Sequence, residues 1–263
     1  MNTIGFPELG IKFNIDPVAF SVFGWDIHWY GIIIASGLIL AVIVASYLAR
    51  KENLGKDVML DVVIYALPVA IVCARLYYVI FNFEAYRDNP LDVFKIWNGG
   101  LAVYGGIIGA VATAYVYCRV TKTDFKKVAD IGAIGLLIGQ AIGRWGNFVN
   151  GEAYGGQTSL PWRMDIYGEA YSVHPTFLYE SLWNLATLIL LLCVFKKRKF
   201  DGQIFLSYIT AYGLGRFFIE GLRADSLMLG PVRISQLVAI VCFLVGLTLL
   251  LLGLKQKKQQ NNL

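Results

Sequence analysis

"ISQLVAIVCFLVGLTLLLLGL", Ile234–Leu254, is an apolar segment without a charged side chain. About 20 such residues, wound into a helix, cross the hydrocarbon core of a bilayer. Similar segments recur upstream, at Tyr30–Leu48, Leu60–Phe81, Leu101–Cys118, Val128–Ile142, Phe177–Phe195 and Ile204–Phe218. Together they predict an all-α polytopic membrane protein with about seven transmembrane helices, six and eight being the alternatives.

The composition of the whole chain agrees with this prediction. Of its 263 residues, 57% are hydrophobic and 16% are charged, whereas a soluble domain has roughly 25% charged residues. We therefore expect residues 1–263 to form a single integral membrane domain. The chain begins without the basic and apolar regions of a cleavable signal peptide, so the first span should be retained.

The distribution of Lys and Arg predicts the orientation. With seven spans, the run Lys196–Lys199 and the tail Lys255–Lys258 fall on one side, together with the larger share of the basic residues. Basic loops favour the cytoplasm, which places the N-terminus outside and the C-terminus in the cytoplasm. Anionic lipid beside these flanks accounts for the net charge of +5, so no nucleic-acid partner is expected. Residues Gly151–Ser172 then form a small extracytoplasmic head or lid between spans four and five.

Metal ligands are scarce in this sequence. There are two histidines, and the four cysteines lie in apolar segments without CxxC spacing, at Cys73, Cys118, Cys193 and Cys242. Such cysteines are typically buried and inert. We expect neither a metal site nor a disulfide framework.

Four arginines lie in or beside the predicted spans, where a charge requires a partner or a watery cavity. They are Arg75, Arg144, Arg216 and Arg223. Only two carboxylates are near them in the sequence, Glu152 and Glu220, so positive charge is expected in surplus near the outer face. Because a guanidinium group grips phosphate through two parallel hydrogen bonds, this surplus predicts an anionic, phosphate-bearing ligand, with Arg75 among the residues that bind it.

Each arginine also has a purely structural interpretation. Arg216, Glu220 and Arg223 have the spacing of a salt-bridge ladder along one helix. Arg144 could extend to lipid head groups. Arg75 could be an anchor that donates hydrogen bonds to helix-end carbonyl groups.

The segment "GRWGNFVNGE", Gly143–Glu152, concentrates polar side chains at the end of the fourth span. Arg144 and Asn147 are three residues apart and share a face if the helix continues. Asn150 and Glu152 should follow in a turn. A fixed positive charge, two amides and a carboxylate suit a phosphate with neighbouring hydroxyl groups, or a peptide backbone.

Glycine pairs surround Tyr104 in "WNGGLAVYGGIIGA", Trp97–Ala110. The spacing of Gly105 and Gly109 is typical of close helix packing. The pair Gly99–Gly100 at the span entrance suggests backbone N–H groups that approach a ligand.

Five motifs follow one another along the chain. They are "HWYG" (His28–Gly31), "WNGGLAVYGGIIGA" (Trp97–Ala110), "GRWGNFVNGE" (Gly143–Glu152), "HPTFLYES" (His174–Ser181) and "YGLGRFFIEGLR" (Tyr212–Arg223). Together they resemble the motifs of the prolipoprotein diacylglyceryl transferases, over essentially every predicted span. The resemblance implies a bacterial cytoplasmic-membrane enzyme whose active site opens to the outer leaflet. Such an enzyme moves the diacylglyceryl group of phosphatidylglycerol to the lipobox cysteine of a prolipoprotein signal peptide, forming a thioether and releasing glycerol 1-phosphate. The resemblance implies that the enzyme uses no metal or organic cofactor. It also implies a seven-span body with a small head, which Gly151–Ser172 would fit.

The resemblance also implies roles for individual residues. Arg144 and Arg216 match arginines tied to phosphate binding and catalysis, and Tyr30 matches an essential tyrosine of the first motif. The matching substrate-binding positions are Asn147, Asn150, Glu152, Gly155, Glu220 and Arg223.

Tyr104 departs from part of this family, in which a histidine at this position is proposed as the general base. The ordinary pKa of tyrosine is about 10 and that of histidine about 6.5, so Tyr104 is not an equivalent base at neutrality. The sequence leaves the base open among Glu152, Glu220 and the phosphate oxygens, with Tyr104 or Tyr30 orienting the thiol.

Three other classes of membrane protein share some of these features. A transporter would place polar groups at the midplane, often in inverted repeats, whereas here they crowd the outer end of the spans. A retinal-type receptor needs a lysine in the seventh span, which has none. A non-catalytic lipid-binding protein needs similar arginines and stays open.

Overall fold

The computed structural model describes residues 1–260, and over that range the chain forms seven long helices. They are α1 (Trp29–Lys51), α2 (Val58–Phe81), α3 (Val103–Thr121), α4 (Phe125–Asn150), α5 (Thr176–Phe195), α6 (Gln203–Leu222) and α7 (Ile234–Gln260). Six of the seven apolar segments singled out in the sequence lie wholly within these helices, and the seventh, Leu101–Cys118, begins two residues before α3. Five of them, all but α4 and α6, are long and apolar enough to cross a membrane. The helical, membrane-type architecture is confirmed, while the number of spans and their orientation stay predictions.

The structure also contains short strands that the hydrophobic segments did not predict. They are β1 (Asn2–Phe6), β2 (Ile11–Ile15), β3 (Val18–Val22), β4 (Trp25–His28), β5 (Asp165–Ile166), β6 (Met228–Leu229) and β7 (Val232–Arg233). The fold is therefore not purely α-helical. Strands of two to five residues are far shorter than the segment length that reveals a membrane-spanning helix.

A three-stranded antiparallel sheet joins the N-terminus to the segment after α4. Its strand order is β2-β1-β5, and β5 lies within Gly151–Ser172. Beneath it, Ile4 packs with Phe148 at the end of α4 and with Phe177 at the start of α5. The segment predicted as a head is thus held to the N-terminal strands and the ends of two helices.

The chain divides into two compact units, one made of Met1–Val44 with the residues from Asp130 onward, the other of Ala45–Ala129. In the second unit, α2 and α3 pack closely. A Cβ atom at Gly105 would lie 2.4 Å from the carbonyl oxygen of Cys73, and one at Gly109 would lie 2.8 Å from its Cβ. The helix-packing interpretation of this glycine spacing is confirmed.

In the first unit, a buried carboxylate of α4 determines where α6 begins. Asp130 is fully buried, and its two oxygens accept hydrogen bonds from the backbone N–H groups of Gly202 and Phe205, each over 2.9 Å. The Nε of Arg198 lies 3.5 Å from the same carboxylate. Asp130 therefore caps the N-terminus of a different helix, which satisfies donors that no helical carbonyl can reach.

Candidate active site

The centre of the site is Glu180 on α5, whose carboxylate contacts three arginines from other parts of the first unit. Arg144 Nη2 lies 2.5 Å from Oε2, while the Nη1 atoms of Arg216 and Arg223 lie 3.1 and 3.3 Å from Oε1. Only 8% of the Glu180 side chain is exposed. Three of the arginines singled out in the sequence are thus brought together around one buried carboxylate.

Two further carboxylates contact the same arginines. Glu220 Oε2 lies 2.6 Å from Arg216 Nη2, one helical turn away on α6. Asp225 accepts two hydrogen bonds from Arg223, at 2.9 Å from Nε and 2.7 Å from Nη2. This two-pronged bond lowers the pKa of Asp225 from its ordinary value.

These contacts correct the charge count made from the sequence. Arg144, Arg216 and Arg223 are matched by three carboxylates, so the six formal charges sum to zero and no surplus is left among them. The sequence did not identify the partners Glu180 and Asp225. Glu180 lies in the quoted motif "HPTFLYES", and an acidic residue within so apolar a segment was the available signal.

Helix α4 continues through the segment Gly143–Glu152 as far as Asn150, so Asn150 ends the helix and is not in the turn where the sequence placed it. Arg144 Nη1 donates to Oδ1 of Asn147 over 3.2 Å, so the two residues share a face. Gly151 follows in the left-handed conformation with φ +64°, and the Glu152 N–H donates to the Asn147 carbonyl over 3.0 Å. This is a Schellman turn, which requires a residue that tolerates positive φ.

The turn folds Glu152 back against the helix end. Its Oε1 accepts hydrogen bonds from the side-chain amides of Asn147 (3.0 Å) and Asn150 (3.3 Å). Arg144, Asn147 and Glu152 consequently form a continuous hydrogen-bonded chain that leads away from Glu180. These predicted substrate-binding residues lie together.

Gly155 links three of the site's elements through its backbone. Its N–H donates to the His174 carbonyl over 2.9 Å, and a Cβ atom there would lie 2.6 Å from the His174 Cβ and 2.8 Å from the carbonyl oxygen of Leu222. The segment is also paired with Arg223 through an isolated β-bridge. Gly155 thus acts as a close-packing residue that holds Arg223 in place. Burial lowers the pKa of the His174 imidazole from its ordinary value.

Tyr30 lies in the first turn of α1 and packs against the part of α4 that bears Arg144. A Cβ atom at Gly146 would be 2.8 Å from Cδ2 of the Tyr30 ring, so the absence of a side chain at Gly146 lets the ring pack directly on α4. The ring packs on the helical turn that bears Arg144 and Asn147.

Arg75 and Tyr104 belong to the second unit. Arg75 is buried, and its five N–H donors all reach backbone carbonyl groups, those of Asp92, Val93, Lys95, Gly99 and Gly100. These contacts favour the structural-anchor interpretation over phosphate binding. A Cβ atom at Gly100 would lie 2.5 Å from Arg75 Nη1, so the arginine approaches the backbone closely at this glycine. Tyr104 lies in the first turn of α3 and is 36% exposed.

Within residues 1–260, no group of three or more His, Cys, Asp or Glu side chains is placed to hold a metal ion. All four cysteines are free thiols. The side chains that meet around Glu180 carry guanidinium, carboxylate and amide groups.

The fold and the site define a helical membrane protein with a buried arginine–carboxylate cluster. Residues 17–252 match the sequence model of the prolipoprotein diacylglyceryl transferase family, and the chain belongs to that family. Its members are transferases of lipoprotein biosynthesis.

Relatives from several bacteria cover nearly the whole chain. A phosphatidylglycerol–prolipoprotein diacylglyceryl transferase of Finegoldia magna is 52% identical over 246 residues, which is 93% of this chain and 97% of the relative. Those of Clostridioides difficile and Bacillus velezensis are 47% identical over 233 residues and 43% identical over 264 residues. They cover 89% and 95% of this chain, and 93% and 94% of their own lengths.

Proposed function

We propose that this protein transfers the diacylglyceryl group of phosphatidylglycerol to the lipobox cysteine of a prolipoprotein signal peptide. The products are a thioether-linked lipid and glycerol 1-phosphate. The observation that supports this most directly is the convergence of Arg144, Arg216 and Arg223 on one buried carboxylate, in a chain of this family.

The reaction is a substitution at a glycerol carbon. The cysteine sulfur forms a bond to that carbon, the bond from carbon to phosphate oxygen breaks, and the electron pair leaves with the phosphate. Guanidinium groups positioned before the reaction stabilise the charge that develops on the leaving group. We assign this role to Arg144 and Arg216, with Arg223 as a third ligand of the phosphate.

Glu180 indicates where the anion binds. Its two oxygens contact all three guanidinium groups, and a phosphate presents the same kind of acceptor. Because the cluster is formally neutral, an entering phosphodiester must take over at least one of these contacts. We propose that the head group displaces Glu180 from part of the cluster, and that the freed carboxylate accepts the thiol proton.

The polar residues beside the cluster recognise the rest of the head group. Asn147, Asn150 and Glu152 form a hydrogen-bonded chain from Arg144, and the terminal glycerol offers two hydroxyl groups to such residues. We propose that they bind these hydroxyls, and that Tyr30, whose ring packs on the turn that bears Arg144, orients the thiol.

We also propose the topology inferred from the sequence. It has seven spans in the bacterial cytoplasmic membrane, the N-terminus outside, the C-terminus in the cytoplasm and Gly151–Ser172 as a small extracytoplasmic head. The support is the cytoplasmic preference of basic segments such as Lys196–Lys199 and the tail that ends α7. Phosphatidylglycerol and the peptide then enter from the outer leaflet.

The deciding experiment uses purified protein in vesicles that contain phosphatidylglycerol, mixed with a peptide bearing a lipobox cysteine. Mass spectrometry should show the diacylglyceryl increment on the cysteine, and glycerol 1-phosphate should appear in equal amount. A peptide in which serine replaces that cysteine is the matched control. Lipid binding without any mass change would instead identify a non-catalytic lipid-binding protein.

A further inference from the structure

Strands β3 and β4 form a two-stranded ribbon with one apolar and one polar face. The pairs Phe20–Ile27 and Val22–Trp25 alternate along the ribbon with the pair Ser21–Asp26. Side chains alternate between the faces of a strand, and residues directly opposite share a face. Phe20, Val22, Trp25 and Ile27 therefore lie on one side, here named the apolar ribbon face. On the other side, the Ser21 hydroxyl donates to Asp26 over 2.5 Å.

The apolar ribbon face is open over its whole length. Exposure of its four residues runs from 36% at Ile27 to 78% at Trp25, and Phe23 at the tip is 99% exposed. Phe23 also has φ +49°, a left-handed conformation that bulky residues rarely adopt. An isolated two-stranded hairpin is only marginally stable in water, so this arrangement requires an apolar surface to cover it.

The position of the ribbon identifies that surface. Strand β4 ends at His28, and α1, one of the helices able to cross a membrane, begins at the next residue. The backbone N–H of Trp29 donates to the Pro17 carbonyl over 3.0 Å, which fixes the base of the ribbon to the start of this helix. The ribbon thus emerges where α1 meets the membrane surface, a depth at which tryptophan and other aromatic residues are favoured.

We propose that the apolar ribbon face and Phe23 insert into the lipid surface beside α1, at the boundary between head groups and acyl chains. Residues 18–28 contain no Lys or Arg, so apolar burial drives this contact and salt does not weaken it. The polar side, with Ser21 and Asp26, faces water. The ribbon then fixes the tilt and depth of the helix whose first turn bears Tyr30.

The test measures the depth of single nitroxide labels on the full chain in phosphatidylcholine vesicles, without peptide substrate. Labels are attached to Phe23→Cys, Trp25→Cys and, as the matched control on the polar side, Ser21→Cys, each with the four native cysteines replaced. Labels at positions 23 and 25 should collide several-fold less often with a water-soluble nickel complex than the label at position 21, and more often with oxygen. Equal accessibility at all three positions would overturn the proposal. Shielding that arises only when a signal peptide is added, or only at high protein density, would overturn it too, because the occupant would then be the peptide or a second copy.

A second measurement requires no cysteine replacement. Lipids brominated in the upper acyl chain quench nearby tryptophans, so Trp25→Phe should remove part of the quenched fluorescence of the wild-type protein. An unchanged quenched amplitude would contradict insertion. Neither measurement depends on lipid transfer, so the outcome is independent of the proposed reaction.

Discussion

Arg144 on α4 and Glu180 on α5 approach to 2.5 Å, although 36 residues separate them. The same carboxylate is shared with two arginines of the α6 region, so Glu180 holds three guanidinium groups in position before any substrate arrives. Such preorganisation is what electrostatic catalysis requires. It also means that an anionic lipid must compete with an internal anion.

The first prediction concerns this competition. Glu180→Gln keeps the size of the side chain and an acceptor oxygen but removes the negative charge. Phosphatidylglycerol should bind more tightly, because it no longer competes with a carboxylate. Turnover should fall by about 10²-fold or more, because the proton acceptor is lost. Steady-state kinetics with varied lipid should therefore show KM and kcat falling together.

The matched control is Glu84→Gln, which removes a carboxylate whose side chain is 84% exposed. It should leave both constants unchanged. If Glu180→Gln raises KM, or merely lowers the amount of folded protein, Glu180 supports the structure and does not exchange with the phosphate.

The second prediction separates the arginines by charge and shape. Arg144→Ala and Arg216→Ala should each lower kcat by about 10²- to 10³-fold, the usual loss when one stabilising donor is removed. Arg144→Lys should restore only a small part of the activity, because an ammonium group cannot reproduce the planar donor geometry that contacts Glu180 and Asn147. Arg87→Ala, which removes an exposed arginine paired with Glu84, is the control. Near-normal turnover in both alanine variants would exclude the proposed role.

How much of this site was visible in the sequence depends on how local each signal is. The helices were predictable because the length and apolar character of a segment indicate a helix without knowledge of the rest of the fold. The contact between Arg144 and Asn147 was predictable because residues three apart on a helix share a face. The role of Glu180 was not predictable, because its partners Arg216 and Arg223 lie 36 and 43 residues away in the sequence. Only the packing of α4, α5 and α6 reveals which carboxylate they meet.

Arg75 was recognised in the sequence, but its role could not be decided there. The sequence revealed a buried charge and two possible explanations, phosphate binding or anchoring. The decision required the path of the chain from Asp92 to Gly100, whose carbonyl groups surround the guanidinium. No periodicity in the sequence specifies the path of such an irregular segment.

The third prediction follows from that anchor. Arg75→Ala leaves the carbonyl groups around it without donors, and buried polar groups without partners are costly. The segment from Asp92 to Gly100 should open, so that its backbone amides exchange with deuterium faster and protease cuts it earlier than in the wild type. Arg75→Lys should give an intermediate result, since an ammonium offers three donors against five. Unchanged exchange in both variants would show that the segment is held by other contacts.

The fourth prediction concerns the buried cap at the start of α6. Asp130→Ala removes both acceptors of the Gly202 and Phe205 N–H groups and leaves Arg198 without this carboxylate. Loss of one partner of a buried pair costs about 3–5 kcal/mol, so Tm in detergent should fall clearly. Asp201→Asn, at a carboxylate with 38% side-chain exposure that also contacts Arg198, should have a much smaller effect. If both variants melt alike, Asp130 is not the cap that determines the start of α6.

The fifth prediction concerns pH. Two hydrogen bonds from Arg223 lower the pKa of Asp225 in the folded protein. Between this lowered pKa and the ordinary carboxyl pKa of about 3.9, the unfolded chain therefore binds more protons than the folded chain. The pair therefore stabilises the fold fully above the ordinary value, and this contribution is lost as the pH falls through the lowered pKa. Asp225→Asn should remove that part of the acid dependence of Tm, while Asp88→Asn should not. An acid profile identical to the wild type would mean that the ion pair contributes nothing to stability in solution.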